Sequence, residues 1–221
     1  MKALIFDASP LITLTMNGLD TLLVDLKKLF NGKFIITKEV KSEIIDRPMN
    51  IKKFELEALK LEKLLDDRVL EMPESLGIDS SLIQEKTKEI LDQTNSTFSS
   101  KSQYIHLIDL GEASCLALSS IASSKKIENV IVIDERTTRM FLENLGNLKK
   151  LMENKLHTKI QAKPTKIPGI RFIRSAELVY LAYKNNLVKL KNGKVLEALL
   201  YATKFKGCSI SIREIEEMQR L

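Results

Sequence analysis

The chain has no tryptophan, and aromatic residues make up only 5% of its 221 positions. That argues against binding through a platform of rings on which bases stack. It has two cysteines, Cys115 and Cys208. Two are too few for a disulfide framework, and the plain reading is a pair of reduced core thiols in a cytosolic (cytoplasmic) protein. No apolar run approaches the ~18 residues needed to cross a bilayer, so no membrane role is expected. Met1-Lys2 leads straight into a short apolar stretch that Asp7 interrupts, which is not the pattern of a signal peptide. Neither an internal repeat nor a heptad seam is evident. His106 and His157 are the only histidines, and neither ends an expected strand. Chemistry built on a histidine base is therefore not expected, and His106 reads as a packing or surface residue of a helix.

Against these absences stand a hydrophobic content of 44% and a formal net charge of +6. The first suits one domain with a packed core. The second permits nucleic-acid binding without requiring it.

Ala3–Phe6 is short, wholly apolar and ended by Asp7, the pattern of a buried parallel strand. Ser9 can cap the helix that follows, with Pro10 at its first position. Helical spacing runs from Leu11 to Phe30, broken near Asn17-Gly18. Phe34–Ile36 reads as a second strand, and Thr37 caps a helix carrying Glu39, Val40, Glu43 and Ile44. Charged amphipathic helices are expected at about 51–67 and 74–92, with Val69-Leu70 as a possible short strand. Gln93–Ser102 is poor in apolar residues and reads as a mobile loop. Helices should flank Gly111, the second running from Glu112 to about Ser123. Val130–Ile133 is the clearest buried strand, ended by Asp134. A helix over 136–152, a basic stretch to Pro168, a last strand Ile170–Ile173 capped by Ser175 and mostly helical residues to 221 complete the reading.

Strands and helices in alternation predict an α/β protein, three-layer α/β/α around a central parallel sheet of four to five strands. The chain reads as one domain, 1–221, with a helical insertion at about 48–104 and a basic loop at about 146–168. In such sheets ligands sit beyond the carboxyl ends of the strands, at a topological switch point. Asp7 and Asp134 both lie at strand ends. Each has a bland alternative as a helix cap, but two on one rim strengthen each other. Glu43 alone suits a solvated helix face, with Glu39 as its rival. Glu112 alone suits a helix start for dipole reasons. Asp109, one turn upstream of Glu112, and Glu135, beside Asp134, could support the set. Carboxylates crowded into one pocket repel unless cations neutralise them. Hard oxygen ligands select Mg²⁺ or Mn²⁺, and a pair of such ions can drive in-line phosphoryl displacement.

Four segments carrying these acids, Leu4–Ile12, Thr37–Glu43, Leu110–Leu118 and Val132–Arg139, resemble PIN-domain nucleases in their order and in the placing of an acid in each. The likeness is to the archaeal and bacterial branch with a Gly-Glu-Ala turn, and it extends through Ser175–Ile212. The resemblance implies a PIN-like fold and a Mg²⁺ or Mn²⁺ site held by Asp7, Glu43, Glu112 and Asp134. Ser9 matches a small polar position beside the first aspartate. It implies cleavage of RNA, and for many relatives a toxin role blocked by a small antitoxin-like partner. Glu112 stands where many relatives carry Asp, and the insertion is long for a compact toxin. The apolar faces of the insertion helices could serve as a homodimer seam or an inhibitor groove.

Lys149, Lys150, Arg171 and Arg174 belong to the basic stretch, and Arg136 and Arg139 follow Asp134 one helical turn apart. They suit RNA phosphates as well as a solvated surface. The leading expectation is a metal-dependent endoribonuclease; the alternative is a PIN-like module that docks RNA or protein without turnover. A haloacid-dehalogenase-like phosphatase would need a second aspartate where Ser9 stands. A dinucleotide-binding fold would need Gly-x-Gly-x-x-Gly after the first strand, which is missing.

Overall fold

A computed structural model describes residues 1–163 and 169–221. In chain order the elements are β1 (Lys2–Phe6), α1 (Ala8–Met16), α2 (Asp20–Leu29), β2 (Lys33–Ile35), α3 (Lys38–Lys41), α4 (Glu55–Asp66), α5 (Ser80–Asn95), β3 (Phe98–Ser100) and β4 (Gln103–Tyr104). There follow α6 (Leu110–Ser124), β5 (Glu128–Val132), α7 (Arg136–Glu143), α8 (Leu145–Leu156), β6 (Gln161–Ala162), β7 (Phe172–Ile173), α9 (Ser175–Lys184), α10 (Val195–Phe205) and α11 (Ile212–Arg220). The protein is α/β. Its main sheet has four parallel strands in the order β2-β1-β5-β7.

Ala3, Leu4, Ile5 and Phe6 are all buried in succession, so both faces of β1 are covered. That is why the strand is apolar throughout rather than alternating. The arrangement is consistent with three layers. Val69-Leu70 adds no strand; the chain there makes a single parallel bridge, Glu71 to Ile35 at the edge of β2. Lys27 and Lys33 clamp the Glu71 carboxylate at 2.9 and 2.8 Å.

From β1 the chain crosses to β2 on one side, then returns to β5 on the other. The switch point therefore falls between β1 and β5, whose register pairs Phe6 with Val132. The residues just beyond that pair are Asp7 and Ile133-Asp134, and Asp7 N–H donates to Val132 O at 3.0 Å. The strand-end acids share one rim because the two strands that carry them are neighbours.

Several expectations are corrected. The segment 93–102 is not a loop: α5 continues to Asn95, and β3 pairs with β4 and β6 in a second, antiparallel sheet. Phe98 is fully buried there, and Asn95 Oδ1 accepts from the Leu107 and Ile108 amides. The insertion is thus mixed, not purely helical. No second helix flanks Gly111: residues 105–109 before α6 are not helical, so His106 lies in a loop. Much of the expected basic loop is α8; its end, including Lys166, lies outside the described residues. Asp7 rather than Ser9 caps α1, and Ser175 opens α9 instead of capping it. Cys115 and Cys208 are both buried and unpaired by any disulfide. Among the described residues no helix is long and apolar enough to cross a membrane.

Candidate active site

Three elements deliver the acids to the rim. The β1–α1 turn brings Asp7, which is 4% exposed. Its Oδ2 accepts from Ser9 Oγ at 2.7 Å and from Ser9 N at 3.3 Å, the bonds of an N-cap. The start of α6 brings Glu112, 9% exposed, whose Oε2 accepts from Asp109 N at 3.0 Å. Glu43 arrives differently. Thr37 caps α3 by accepting from Val40 N at 3.2 Å. After Lys41 the helix widens into a π-turn over Ser42–Asp46, closed by Arg47 N to Ser42 O at 3.0 Å. Such widened turns re-aim side chains and recur at functional sites. Here Ile44 and Ile45 are both buried while Glu43 stays accessible to solvent.

Gly111 shows how tightly these parts meet. A Cβ at that position would stand 2.9 Å from Glu43 Oε2 and 3.9 Å from Asp7 Oδ1. Both carboxylates therefore face the first turn of α6, and only a residue without a side chain leaves the space between them open. Thr37 and Ser114 hold α3 to α6 from behind, their hydroxyls 2.6 Å apart.

The electrostatics follow from this crowding. Burial, opposed by the Ser9 hydrogen bonds, raises the Asp7 pKa, and the Asp134 charge adds to the rise. Glu43 is raised by burial, then by Asp7 and Asp109, with Arg47 opposing. Glu112 is pushed up to about 8 by burial and then by the Asp7 charge. Among the described residues no lysine or arginine forms an ion pair with Asp7, Glu43 or Glu112.

The acids line a cleft of about 300 Å³ with Asp7, Glu43, Asp109, Glu112 and Glu135 on its walls. Glu43 and Asp109 also belong to the wall of an adjoining cavity of about 520 Å³, where Lys38 and Arg47 supply cations. His106 stands at the lip, its Nε2 2.7 Å from Asp109 Oδ1. Sequence reasoning gave Lys38 and Arg47 no role and read His106 as a packing or surface residue. Arg47 carried one usable signal, since it directly follows the helix that bears Glu43.

Asp134 is placed differently from the other three. It is fully buried, and Ser175 takes both its oxygens: Ser175 N donates to Oδ1 at 2.8 Å and Ser175 Oγ to Oδ2 at 2.7 Å. It meets the cleft wall through Ser9, whose Oγ accepts from Asp134 N at 3.4 Å. Asp134 is therefore a pin between β5 and α9 and is absent from the cleft wall.

The basic residues also divide. Arg136, Arg139 and Arg174 line a separate cavity. Arg171 turns the other way, with its guanidinium 3.4 Å from Glu128 at the amino-terminal start of β5. Lys149 lies near Glu153 on α8 and Lys150 is exposed beside it.

As placed, no three His, Cys, Asp or Glu side chains among the described residues form a ready coordination set. The chemistry of the donors still suits a hard divalent cation: clustered carboxylates, burdened by burial and by one another, with no paired cation among them. The chain matches no family model, no curated protein and no solved structure.

Proposed function

We propose that this chain is a divalent-metal-dependent endoribonuclease with a PIN-like fold, its site built on Asp7, Glu43 and Glu112. The observation that carries the reading is their convergence on Gly111 at the switch point of a parallel sheet. The sheet order and the π-turn under Glu43 support it, as does the resemblance of the four acidic segments to that family. Asp7 Oδ1, the Glu43 carboxylate and the second Glu112 oxygen, Oε1, would hold Mg²⁺ or Mn²⁺. Bound there, such an ion would supply an activated water and charge neutralisation for phosphodiester hydrolysis.

The chain's own residues set the conditions for that chemistry. Ser9 fixes one Asp7 oxygen and leaves the other facing the cleft. Asp109 N–H fixes Glu112 in the same way. Glu135 and Asp109 extend the negative field along the walls. Lys38 and Arg47 give an RNA backbone somewhere to rest beside the acids. Asp134, with Ser175, keeps the ends of β5 and α9 in register rather than contacting substrate. A small antitoxin-like partner or a second copy of the chain would find apolar side chains on α4 and α5, where Leu56, Leu59 and Leu82 are exposed.

The test is cleavage of a panel of single-stranded and hairpin RNAs with Mn²⁺. Asp7→Asn and Glu43→Gln should each abolish it while circular dichroism stays unchanged. Undiminished cleavage in both variants would remove the site from consideration. The exposed apolar side chains of α4 and α5 favour a second reading, a PIN-like module that binds RNA or protein without turnover. Calorimetric Mn²⁺ binding with no cleavage of any RNA would select that reading.

A further inference from the structure

The cavity beside Arg139 is basic, roomy and separate from the acid cleft. It measures about 510 Å³. Its walls carry Arg136, Arg139, Arg174 and Lys204 against a single carboxylate, Glu214. These four cations are not equivalent. Arg174 is committed: it meets Glu214 at 2.7 Å, binds Glu177 and donates to Ser209 O at 3.0 Å. Arg136 is exposed and makes no hydrogen bond or ion pair among the described residues. Among the described residues the Lys204 ammonium is engaged only by the Ile210 carbonyl. Arg139 spends Nη2 on Ser209 O at 2.9 Å, yet its buried Nε has no hydrogen-bond partner among the described residues. A buried donor left unsatisfied costs about 1–3 kcal/mol, more when charged, so such groups call for an explanation.

Two further observations narrow the ligand. Phe205 is 79% exposed, more than any other aromatic ring among the described residues, and it forms part of the cavity wall. Tyr201 stacks on it at 6.1 Å, which holds the ring in place. An exposed flat ring beside the unpaired Arg136 guanidinium suits a nucleotide, with its base on the ring and its phosphate on the cations. The cavity also adjoins the cleft along the chain, for Glu135 lines one and Arg136 the other.

We infer that this cavity is a nucleotide-binding subsite for single-stranded RNA, holding one phosphate on Arg136, Arg139 and Lys204 while a base rests on Phe205. The subsite deepens the nuclease reading, because a strand seated there would pass Arg136 and reach the acids at Glu135. Arg136 and Arg139 then grip a neighbouring phosphate rather than the scissile one.

The test uses the full chain, a 3′-fluorescein single-stranded 12-mer RNA and fluorescence anisotropy in EDTA, so that cleavage plays no part. Arg136→Ala and Phe205→Ala change exposed side chains and should leave the melting temperature unaltered. Phe205→Ala should weaken binding about fivefold or more, as loss of one base stack does. Arg136→Ala should lower the salt-dependence slope by about 0.7, the value of one single-strand phosphate contact. Lys88→Ala, which removes the same charge from the exposed face of α5, is the control. Equal losses in Arg136→Ala and Lys88→Ala, or wild-type affinity in Phe205→Ala, would overturn the subsite. So would variants that lose an acidic peptide but keep RNA, which would make it a protein-docking cavity. Weakened binding without cleavage under any metal removes the nuclease reading and leaves the subsite; cleavage with unchanged affinity does the reverse.

Discussion

Ser175 donates two hydrogen bonds to Asp134, one to each carboxylate oxygen, across 41 residues of sequence. An acid ending a central strand is thereby turned away from the cleft and used to fasten the start of α9. The same rim presents Asp7, whose Oδ1 remains directed at the cleft. Two aspartates in equal sequence contexts thus do different work, and the difference lies in what packs against them.

Removing the Ser175 hydroxyl should therefore affect stability first. Ser175→Ala leaves Asp134 Oδ2 buried without its donor, at a cost of about 2 kcal/mol. For a chain of this size that lowers the melting temperature by roughly 4–8 °C. Asp134→Ala should do at least as much, because it leaves the buried Ser175 N–H without its acceptor. Differential scanning calorimetry of both variants checks this. Wild-type melting in both would mean that the pin contributes nothing.

Gly111→Ala should separate stability from function in the opposite sense. The backbone there is ordinary helix, so alanine gains helix propensity, about 0.5–1 kcal/mol. The new methyl would displace only the end of the flexible Glu43 side chain, 2.9 Å away. The melting temperature should hold or rise slightly, while Mn²⁺ affinity and any RNA cleavage fall by tenfold or more. Urea unfolding beside calorimetric Mn²⁺ titration makes the comparison. A variant that loses stability, or keeps full metal affinity, contradicts the tight approach of Glu43 to α6.

Local features of the sequence carried much of this. Asp7 and Glu112 were readable because an apolar run ended by an acid, and a glycine-acid helix start, are signals within a few residues. The parallel sheet was readable because Ala3–Phe6 of β1 and Val130–Val132 of β5 are apolar in succession. What sequence could not carry was side-chain aim set by distant contacts. The aim of the Asp134 carboxylate depends on Ser175, and the pairing of the Arg174 guanidinium depends on Glu214, 40 residues on. The 93–102 segment looked like a loop because its one apolar side chain, Phe98, is buried together with two threonines, Thr94 and Thr97, whose burial a polar sequence does not announce. The aim of Glu43 needed the π-turn, which periodicity over so short a helix does not reveal.

Glu112 gives a pH signature of definite sign. Its folded pKa, about 8, lies above its ordinary value of 4.5. Below pH 4.5 the carboxyl is protonated in both states and costs nothing. As pH rises from 4.5 to 8 the unfolded chain loses the proton while the folded chain retains it, so folding weakens across that window. At one pKa unit per 1.36 kcal/mol, discounted for relaxation, the loss is on the order of 2–4 kcal/mol. Glu112→Gln keeps an oxygen for Asp109 N–H and cannot ionise. It should melt above wild type at pH 8 and match it at pH 4.5 in metal-free buffer. Equal melting temperatures at pH 8 would show that Glu112 is not held protonated.

Divalent ions should reverse that penalty. Metal binding requires the carboxylates ionised, so affinity rises with pH where the bare protein weakens. At a hundred times Kd, an ion that binds only the folded chain stabilises it by about 2.7 kcal/mol. Mn²⁺ should therefore raise the melting temperature more at pH 8 than at pH 5, by several degrees. Asp7→Asn and Glu43→Gln should each remove most of the shift, whereas Arg171→Ala, at the far end of β5, should leave it intact. Thermal scans with and without Mn²⁺ decide the matter. A shift of equal size at both pH values, or one that survives in the Asp7→Asn variant, would place the ion elsewhere on the molecule and leave these three carboxylates without a cation to hold.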